Sequence, residues 1–452
     1  MTVVTAAGER RSALNPLRIQ AAMDAAVSSG KLAGLSVSVL HGPRQMDFVR
    51  GVADLQSGLP VGPDTVFQIG SVTKAMTATL IMQAAHLGLV DLDTPAAGYL
   101  GVPLGHDPRA AGITVGQLLS HSSGLDGDMF EDVGADDACL EKYARLAERL
   151  DLMSPPGQHY NYCNAGYALL GRIVETAFGD LYDNVLKTRL FEPMQAAVSA
   201  SLAEDIITRT LASGHEPDAD GKLAVMPPVA FPRALGPAGL TVWSNAADLV
   251  RFAALHMKLK AHEFFPAEMV DAMQKPQITL PDGTHWAYGW KLIPGGDVMF
   301  VGHDGGTIGH TAFLWFAPSH GIAVALCANG DGKAAFQDIA WPIFEEVCGA
   351  APILSLPPFT TPARPIEAYA GAYTNAGVTM TVAVNGTDLM TSAHAHHFDQ
   401  PDSHFPMRAI GGDLFRATIG DDDSVVTAFF DTDAAGHPDL FYAGRLYRRV
   451  KG

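Results

Sequence analysis

Strand-forming segments lie on both sides of a long helical stretch, and this arrangement constrains the fold of the chain most. Residues 35–40 alternate between apolar and small polar side chains, and residues 46–50 can pair with them as a hairpin. Residues 85–250 then have mostly helical patterns. Strand patterns return at 298–302, 311–316 and 322–328. Strands that flank central helices predict an α/β fold, in which helices flank an antiparallel sheet and a helical subdomain is inserted between the strands.

A proline-rich segment divides the chain. The 452 residues exceed the roughly 250–300 residues that one hydrophobic core usually serves. Residues 356–365 have the composition of a linker, and residues 366–452 alternate short strands with turns. We therefore predict a first domain over residues 1–355, the linker over 356–365, and a small all-β barrel over 366–452.

The charge of the chain argues against several classes of partner. The formal net charge is −18, and Lys and Arg do not cluster, so we expect no binding to nucleic acid or to membranes. The chain has no run of about 18 apolar residues that could span a bilayer, and residues 1–11 do not resemble a secretory signal. We expect a cytoplasmic protein, whose oligomeric state the sequence does not indicate.

Cysteine and histidine residues do not follow the spacing of metal ligands. The cysteines are Cys139, Cys163, Cys327 and Cys348, and their wide spacing fits a reducing compartment better than a disulfide framework or a zinc site. The histidines between residues 394 and 404 lack an accompanying carboxylate or cysteine pattern, so we expect a solvated loop there. The sequence predicts neither a metal nor a cofactor.

Ser71 and Lys74 form the pattern with the most chemical content. If a helix begins here, the amine lies one turn from the serine hydroxyl on the same helix face. A lysine whose pKa is lowered by burial can take the proton of the serine, which is otherwise a poor nucleophile. Ser28 and Lys31 repeat the spacing, but a glycine there closes an alanine-rich helix, so we interpret that pair as a helix end. The apolar helix after Lys74 favours Ser71 as the nucleophile.

A second polar group is needed to pass the proton to the leaving group, and a tyrosine two residues before an asparagine can supply it. This pattern occurs at Tyr162–Asn164, Tyr182–Asn184 and Tyr373–Asn375. Tyr182 lies inside a predicted helix, and Tyr373 lies beyond the linker. Tyr162 follows a Pro-Pro-Gly loop and precedes a well-formed helix pattern, so we select Tyr162 and Asn164.

A glycine-rich segment at residues 301–310 has the properties of a strand that substrate approaches closely. The backbone N–H of Gly306 can pair with that of Ser71 to form an oxyanion hole. His303 would supply a hydrogen-bond donor or a weak base. His86 has the same spacing to a following glycine, but it lies at the end of the predicted nucleophile helix, and we interpret it as structural.

Together these motifs resemble those of serine hydrolases related to class C β-lactamases and penicillin-binding proteins. The motifs in family order are Ser71–Lys74, Tyr162–Asn164 and His303–Gly305, with supporting segments at 113–125 and 237–249. The resemblance covers roughly residues 15–350. It implies a β-lactamase-like fold and a covalent acyl-enzyme mechanism.

The resemblance also implies a role for each residue of the motifs. Ser71 attacks an ester or amide carbonyl, while Lys74 and Tyr162 handle its proton. The N–H groups of Ser71 and Gly306 hold the oxyanion. The residues that contact or orient the substrate are Asn164, Asp304 and Gly305. His303 is a further catalytic side chain. His121 lies in a segment that the family shares, and we expect it to hold a loop.

His303 departs from the family pattern, because β-lactamases and transpeptidases usually carry a lysine at this position. A mostly neutral histidine beside Asp304 attracts a substrate carboxylate weakly, so we expect little penicillin hydrolysis. The histidine resembles instead the D-aminopeptidases, the family esterases and the penicillin-binding-type thioesterases, several of which append a lipocalin-like barrel.

The sequence thus predicts a serine hydrolase that cleaves an ester or amide of a small molecule or short peptide, D-configured peptides included. Esterase, D-aminopeptidase and carboxypeptidase-like activities all fit this description. An acyl transferase or a thioesterase that cyclises peptides shares the first half of the reaction and stays open. A non-catalytic scaffold of the same fold is the remote alternative.

Overall fold

Strands from distant parts of the chain meet in one antiparallel sheet. The structure is a computed structural model that describes residues 14–227, 231–354, 356–396, 402–419, 423–433 and 435–451. Up to residue 354 its strands are β1 (Leu32–His41), β2 (Arg44–Gly51), β3 (Thr65–Gln68), β4 (Thr210–Leu211), β5 (His215–Pro217), β6 (Leu223–Val225), β7 (Trp243–Ser244), β8 (Ile278–Thr279), β9 (His285–Trp286), β10 (Lys291–Gly295), β11 (Val298–Thr307), β12 (His310–Ala317) and β13 (Ile322–Gly330). The main sheet has the order β2–β1–β13–β12–β11–β10–β9–β8. The predicted antiparallel sheet is confirmed.

Helices lie on both sides of this sheet. They are α1 (Pro16–Ser28), α2 (Thr73–His86), α3 (Ala96–Leu100), α4 (Val115–Leu119), α5 (Cys139–Ala144), α6 (Asn164–Phe178), α7 (Tyr182–Leu186), α8 (Ala203–Ile206), α9 (Ala246–His256), α10 (Ala267–Met273) and α11 (Lys333–Cys348). The stretch 85–250 also contains the short strands β4 to β7, which the sequence analysis missed. Strands of two or three residues are too short to show an alternating pattern.

Alternation along β1 directs its side chains to two separate cores. Leu35, Val37 and Val39 pack on one face of the sheet with α1 and α11. The other face packs against a larger core around α2, α6 and α9. Every residue of α2 from Thr73 to Ala84 is buried, and burial of each large apolar side chain contributes about 1.5–3 kcal/mol. The helix after Ser71 is therefore held rigidly.

The C-terminal strands close into a barrel, which confirms the predicted all-β architecture. The strands are β14 (Gly371–Thr374), β15 (Val378–Asn385), β16 (Asp388–Ala395), β17 (Ser403–Gly411), β18 (Leu414–Ile419), β19 (Asp423–Phe430), β20 (Leu440–Tyr442) and β21 (Leu446–Arg449). Aromatic side chains such as Tyr369, Phe415 and Phe429 fill its interior. We call β14–β21 the barrel and the described residues up to 354 the sheet domain.

The barrel packs against the sheet domain through apolar and polar contacts. Leu440, Tyr442 and Leu446 of the barrel share a buried cluster with Tyr160 and Trp286 of the sheet domain. The backbone N–H of Leu446 donates to Asn161 Oδ1 at 2.8 Å. The guanidinium of Arg448 donates to the carbonyl of Leu152 at 2.7 Å, and the N–H of Ala376 donates to Asp126 at 2.7 Å.

Two of the histidines expected in a solvated loop lie on strands; both are exposed, so the loop assignment is wrong for them and the solvation is confirmed. His394 belongs to β16 and His404 to β17, and His394 Nδ1 lies 2.9 Å from Asp402. His397 lies outside the described residues. Within the described ranges, His, Cys, Asp and Glu do not gather in any group that could hold a metal ion.

Over the same ranges, all helices are too short or too polar to cross a membrane.

Candidate active site

Ser71 lies in a 3-10 turn, Gly70–Val72, that leads directly into α2. Lys74 Nζ is 3.0 Å from Ser71 Oγ and donates to the carbonyl of Ala238 at 2.5 Å. The lysine side chain is fully buried. Burial, and next the positive charge of Arg445, hold the pKa of Lys74 well below its usual range. A neutral amine beside the hydroxyl can accept the serine proton.

Tyr162 lies on the loop that precedes α6, with its ring centroid 4.8 Å from Lys74 Nζ. Burial raises the pKa of its phenol, and a hydrogen bond with the Ser71 hydroxyl offsets part of this shift. The phenol is therefore protonated at neutral pH. Ser71, Lys74 and Tyr162 consequently form one connected group, in which the amine and the phenol both reach the serine.

His121 holds the loop that carries Tyr162. Its Nδ1 accepts the backbone N–H of Cys163 at 3.0 Å, and its ring centroid is 4.3 Å from that of Tyr162. Because Nδ1 accepts, the proton of the neutral ring is on Nε2. Burial keeps the pKa of His121 well below its usual range. The backbone of His121 lies in the left-handed region, with φ 54°. Residues with a bulky side chain adopt this conformation only at an energetic cost.

Strand β11 passes very close to the serine. A Cβ built on Gly305 would lie 2.0 Å from the carbonyl oxygen of Ile69, and one on Gly70 would lie 2.6 Å from the nitrogen of Gly306. Only glycine permits this approach. Gly306 itself is exposed and lines a cavity together with Ser71. The N–H groups of Ser71 and Gly306 therefore occupy adjacent positions, as an oxyanion hole requires.

His303 lies in the middle of β11 and is buried. Its Nδ1 donates to the backbone carbonyl of Asp304 at 2.6 Å. A carbonyl oxygen can only accept, so Nε2 of the neutral ring carries a lone pair. Burial lowers the pKa of His303 to about 3, and the ring is uncharged at neutral pH. His303 thus supplies an acceptor, not the positive charge of the family lysine.

Asp304 and Asn164 have partners within the protein. Asp304 accepts from Trp315 Nε1 at 2.7 Å. Asn164 Nδ2 donates to Asp128 at 3.1 Å. Asp128 also accepts from the guanidinium of Arg445 at 3.0 Å. The position of Asn164 is therefore linked to the barrel through one carboxylate.

Sequence reasoning missed Arg445, which is contributed to the site by the turn between β20 and β21. Its guanidinium carbon is 5.3 Å from the centroid of the Tyr162 ring. The residue belongs to no motif, and an arginine in a turn is indistinguishable from a solvated surface residue in the sequence. Only the packing of the barrel on the sheet domain reveals its position.

Two cavities meet at the serine. A large cavity of about 850 Å³ lies between the sheet domain and the barrel and is lined by His303 and Asp304. A small cavity of about 190 Å³ is lined by Asn164 and Gly306. Ser71, Tyr162 and Arg445 line both.

A serine at the start of a buried helix, with a lysine, a tyrosine and a strand donor around it, is the site expected of the serine hydrolases with a β-lactamase-like fold. Residues 19–346 match the family described as Beta-lactamase, and the chain belongs to this family.

Known relatives and solved structures agree with this assignment. Penicillin-binding protein 4 of Amycolatopsis lactamdurans is 32% identical over 378 residues, which cover 79% of this chain and 97% of that protein. Esterase EstB of Burkholderia gladioli is 24% identical over 383 residues, covering 72% of this chain and 92% of the esterase. The crystal structure of SurE is 27% identical in sequence. The match covers 96% of this chain and 98% of the SurE chain, with a TM-score of 0.78. SurE with D-Leu gives a TM-score of 0.76 at the same identity and coverage.

Proposed function

We propose that the protein is a serine hydrolase that forms an acyl-enzyme on Ser71 and cleaves an ester or amide of a small molecule or short peptide. The observation that carries this proposal is the distance of 3.0 Å between Lys74 Nζ and Ser71 Oγ inside a buried site. A buried, neutral lysine has little structural use next to a serine, whereas it is the base that a serine nucleophile needs.

The proposed reaction has two half-reactions. The proton of Ser71 passes to Lys74 as Oγ bonds to the substrate carbonyl carbon, and the N–H groups of Ser71 and Gly306 stabilise the oxyanion. The bond to the leaving group then breaks, and the leaving atom takes a proton from Lys74 through the Tyr162 phenol. In the second half-reaction an acceptor, water or an amine, loses a proton to the same pair as it bonds to the acyl carbon; the bond between that carbon and Ser71 Oγ then breaks, and Oγ takes the proton back.

The neutral His303 supports a substrate other than a β-lactam. At this position the cavity is lined by an uncharged imidazole, where a carboxylate would need a cation. The similarity to Esterase EstB supports ester cleavage. The SurE structure with D-Leu supports a D-configured residue in the substrate.

Acyl transfer to an amine is the second candidate. The large cavity beside Ser71 has room for an acceptor much larger than water. Its lining combines apolar side chains with charged ones, Asp282 and Asp304 among them, which an amine acceptor could contact beside the acyl-enzyme. This activity would share Ser71, Lys74 and Tyr162 with hydrolysis.

A substrate panel tests the proposal. The panel contains p-nitrophenyl esters, D- and L-aminoacyl amides, peptidyl thioesters with and without an added amine, and nitrocefin, and the control is Ser71→Ala. We expect clear ester cleavage and little nitrocefin turnover by the wild type, and neither by Ser71→Ala. Rapid nitrocefin hydrolysis would show that His303 does not disfavour β-lactams. Equal ester cleavage by Ser71→Ala would refute the acyl-enzyme.

A further inference from the structure

The carbonyl of Ala238 is the hydrogen-bond partner that holds the amine of Lys74 beside the serine. A neutral amine has two N–H groups and one lone pair, and the lone pair has to face the hydroxyl of Ser71 to take its proton. One N–H donates to the carbonyl of Ala238 at 2.5 Å, while Nζ lies 3.0 Å from Ser71 Oγ. Because this bond restricts rotation of the amine, the position of the carbonyl affects how well Lys74 accepts the proton.

The backbone that carries this carbonyl is fixed by two neighbouring helices. A Cβ built on Gly171 of α6 would lie 2.2 Å from Cγ of Pro237, so the proline ring packs directly on that helix. From α2, the hydroxyl of Thr77 donates to the carbonyl of Pro237 at 2.7 Å. The carbonyls of Pro237 and Ala238 belong to consecutive residues. Loss of the bond from Thr77 would therefore release the carbonyl that orients Lys74.

Thr77 lies one helical turn after Lys74, and a second hydroxyl holds it in place. The hydroxyls of Thr77 and Tyr182, the first residue of α7, are 2.8 Å apart, and both side chains are buried. A threonine hydroxyl has one proton, which goes to Pro237, so the phenol donates the second bond. Burial raises the pKa of Tyr182, which keeps the phenol protonated. A directed chain of hydrogen bonds therefore runs from Tyr182 through Thr77 to Pro237.

We propose that Thr77 and Tyr182 are positioning residues for Lys74. They fix the carbonyl of Pro237, and with it the neighbouring carbonyl that orients the amine. Both residues lie outside the set that lines either cavity, so they act without touching the substrate. This inference rests on the acyl-enzyme function proposed above. It gives a role to the tyrosine of a second Tyr-x-Asn pattern in the sequence.

Two exchanges of Thr77 test the chain of hydrogen bonds. Thr77→Val removes the hydroxyl, and we expect kcat for a p-nitrophenyl ester to fall about tenfold or more, because a slightly misplaced base reacts slowly. Lys74 serves in both half-reactions, so KM should stay within about twofold of the wild type. Thr77→Ser keeps the hydroxyl and should retain kcat within about threefold.

Thr79 provides the matched control, because it is a buried threonine on the same helix. Its hydroxyl donates to the carbonyl of Ala75 at 2.8 Å and lies 3.1 Å from His256 Nε2. Thr79→Val thus removes buried hydrogen bonds from α2 and leaves Pro237 untouched. We expect the kcat of the wild type, whatever the change in melting temperature. If Thr77 only stabilised the fold, Thr77→Val and Thr79→Val would have the same kcat.

Tyr182→Phe removes the outer hydroxyl of the chain, while Thr77 can still donate to Pro237. We expect kcat to fall about twofold to fivefold at constant KM, since one supporting hydrogen bond is lost. The double variant with Thr77→Val should have the kcat of Thr77→Val within about twofold, because Tyr182 acts through Thr77. If Thr77→Val does not fold, the comparison of Tyr182→Phe with the wild type decides.

Thermal melting and complete labelling of Ser71 by a fluorophosphonate check that each variant is folded. A folded Thr77→Val with the kcat of the wild type would overturn the inference and leave the acyl-enzyme standing. An equal fall in Thr79→Val, or no recovery in Thr77→Ser, would do the same. An unchanged kcat in Tyr182→Phe would overturn the role of Tyr182. A wild type that neither cleaves the ester nor is labelled on Ser71 would overturn both the inference and the proposed function.

Discussion

In the mechanism that we propose, the charge of Lys74 decides whether Ser71 can react. Arg445 and Asp128 form an ion pair near Lys74, and their charges act on it in opposite directions. Arg445 lowers the pKa of Lys74, and Asp128 raises it. Burial has the largest effect and lowers the pKa further. A lysine base acts only when neutral, so we expect activity above the pKa of Lys74 and its loss as the pH falls through that pKa.

Two variants, each of which removes one partner of this ion pair, should move the acid limb of the pH profile of kcat/KM in opposite directions. Arg445→Gln leaves Asp128 unopposed, raises the pKa of Lys74 and shifts the limb to higher pH. Asp128→Asn removes the opposing charge and shifts it to lower pH, with shifts of up to about one pH unit. The measurement is the pH dependence of kcat/KM for a p-nitrophenyl ester. Shifts in the same direction would contradict the role given to Lys74.

At this scale, sequence reasoning finds residues whose spacing carries chemistry. Ser71 and Lys74 lie one helical turn apart, and Tyr162 stands out from Tyr182 and Tyr373 by its loop. The structure gives those two tyrosines other hydrogen-bond partners. The hydroxyls of Tyr182 and Thr77 share a hydrogen bond, and the hydroxyl of Tyr373 donates to the carbonyl of Tyr369. Arg445 has no such spacing, since its contact with the site depends on tertiary packing alone.

Among the secondary-structure elements, β11 is the one that forms the site with α2. The sequence shows a regular strand pattern at 298–302 and a glycine-rich segment at 301–310 with the properties of a strand that substrate approaches, and β11 spans Val298–Thr307. Residues 303–306 contain two glycines and a charged residue, which is a pattern more typical of loops. The strand continues because residues 301–307 pair with β12, with Gly306 opposite Thr311. Such pairing partners are not visible in a local pattern.

Adjacent glycines of β11 should respond differently to alanine. Gly305→Ala places a Cβ 2.0 Å from the carbonyl of Ile69, so β11 or the Ser71 turn must shift, at a cost of about 1–3 kcal/mol or more in unfolding free energy. In Gly306→Ala the nearest atom to the new Cβ is 3.9 Å away, which is an ordinary contact. Urea unfolding of both variants measures the difference. Equal destabilisation would contradict the close approach of β11 to Ser71.

Across the whole molecule, the barrel and the sheet domain share buried groups. Asn161 is 2% exposed; it donates to Leu125 of the sheet domain at 2.7 Å and accepts from Leu446 of the barrel at 2.8 Å. The linker composition and the all-β pattern allow the sequence to predict a separate barrel. The sequence does not predict how the barrel docks, because the docking residues are scattered over both parts.

The shared cluster predicts that both parts unfold together. Calorimetry of the wild type should show one transition, and Asn161→Ala should lower the stability of the whole by about 1–3 kcal/mol, since it removes two buried hydrogen bonds. Two well-separated transitions in the wild type would contradict the shared core.

The contact between Asp126 and Ala376 should depend on pH. Burial is the main cause that raises the pKa of Asp126 to about 6 from 3.8. The folded state therefore holds this proton more tightly, and the stabilisation present below about pH 4 is lost as the pH rises through about 6. In Asp126→Asn, the amide oxygen can still accept from the N–H of Ala376. Because asparagine does not titrate, the loss of stability with rising pH should be absent.

Between pH 4 and pH 7, the unfolding free energy of Asp126→Asn should rise relative to that of the wild type by on the order of 1–3 kcal/mol. Urea unfolding across this range provides the measurement, and Asp132→Asn, at an exposed carboxylate, is the control that should follow the wild type. A constant difference between Asp126→Asn and the wild type would show that Asp126 does not titrate in this range.

Detection of a covalent intermediate on Ser71 tests the proposed mechanism most directly. A p-nitrophenyl ester is mixed with the wild type, quenched with acid during turnover and mapped by peptide mass spectrometry. We expect one acyl group on the peptide that contains Ser71 and none in Ser71→Ala. Turnover without an adduct in repeated early quenches, or an adduct on another residue that Ser71→Ala retains, would contradict it.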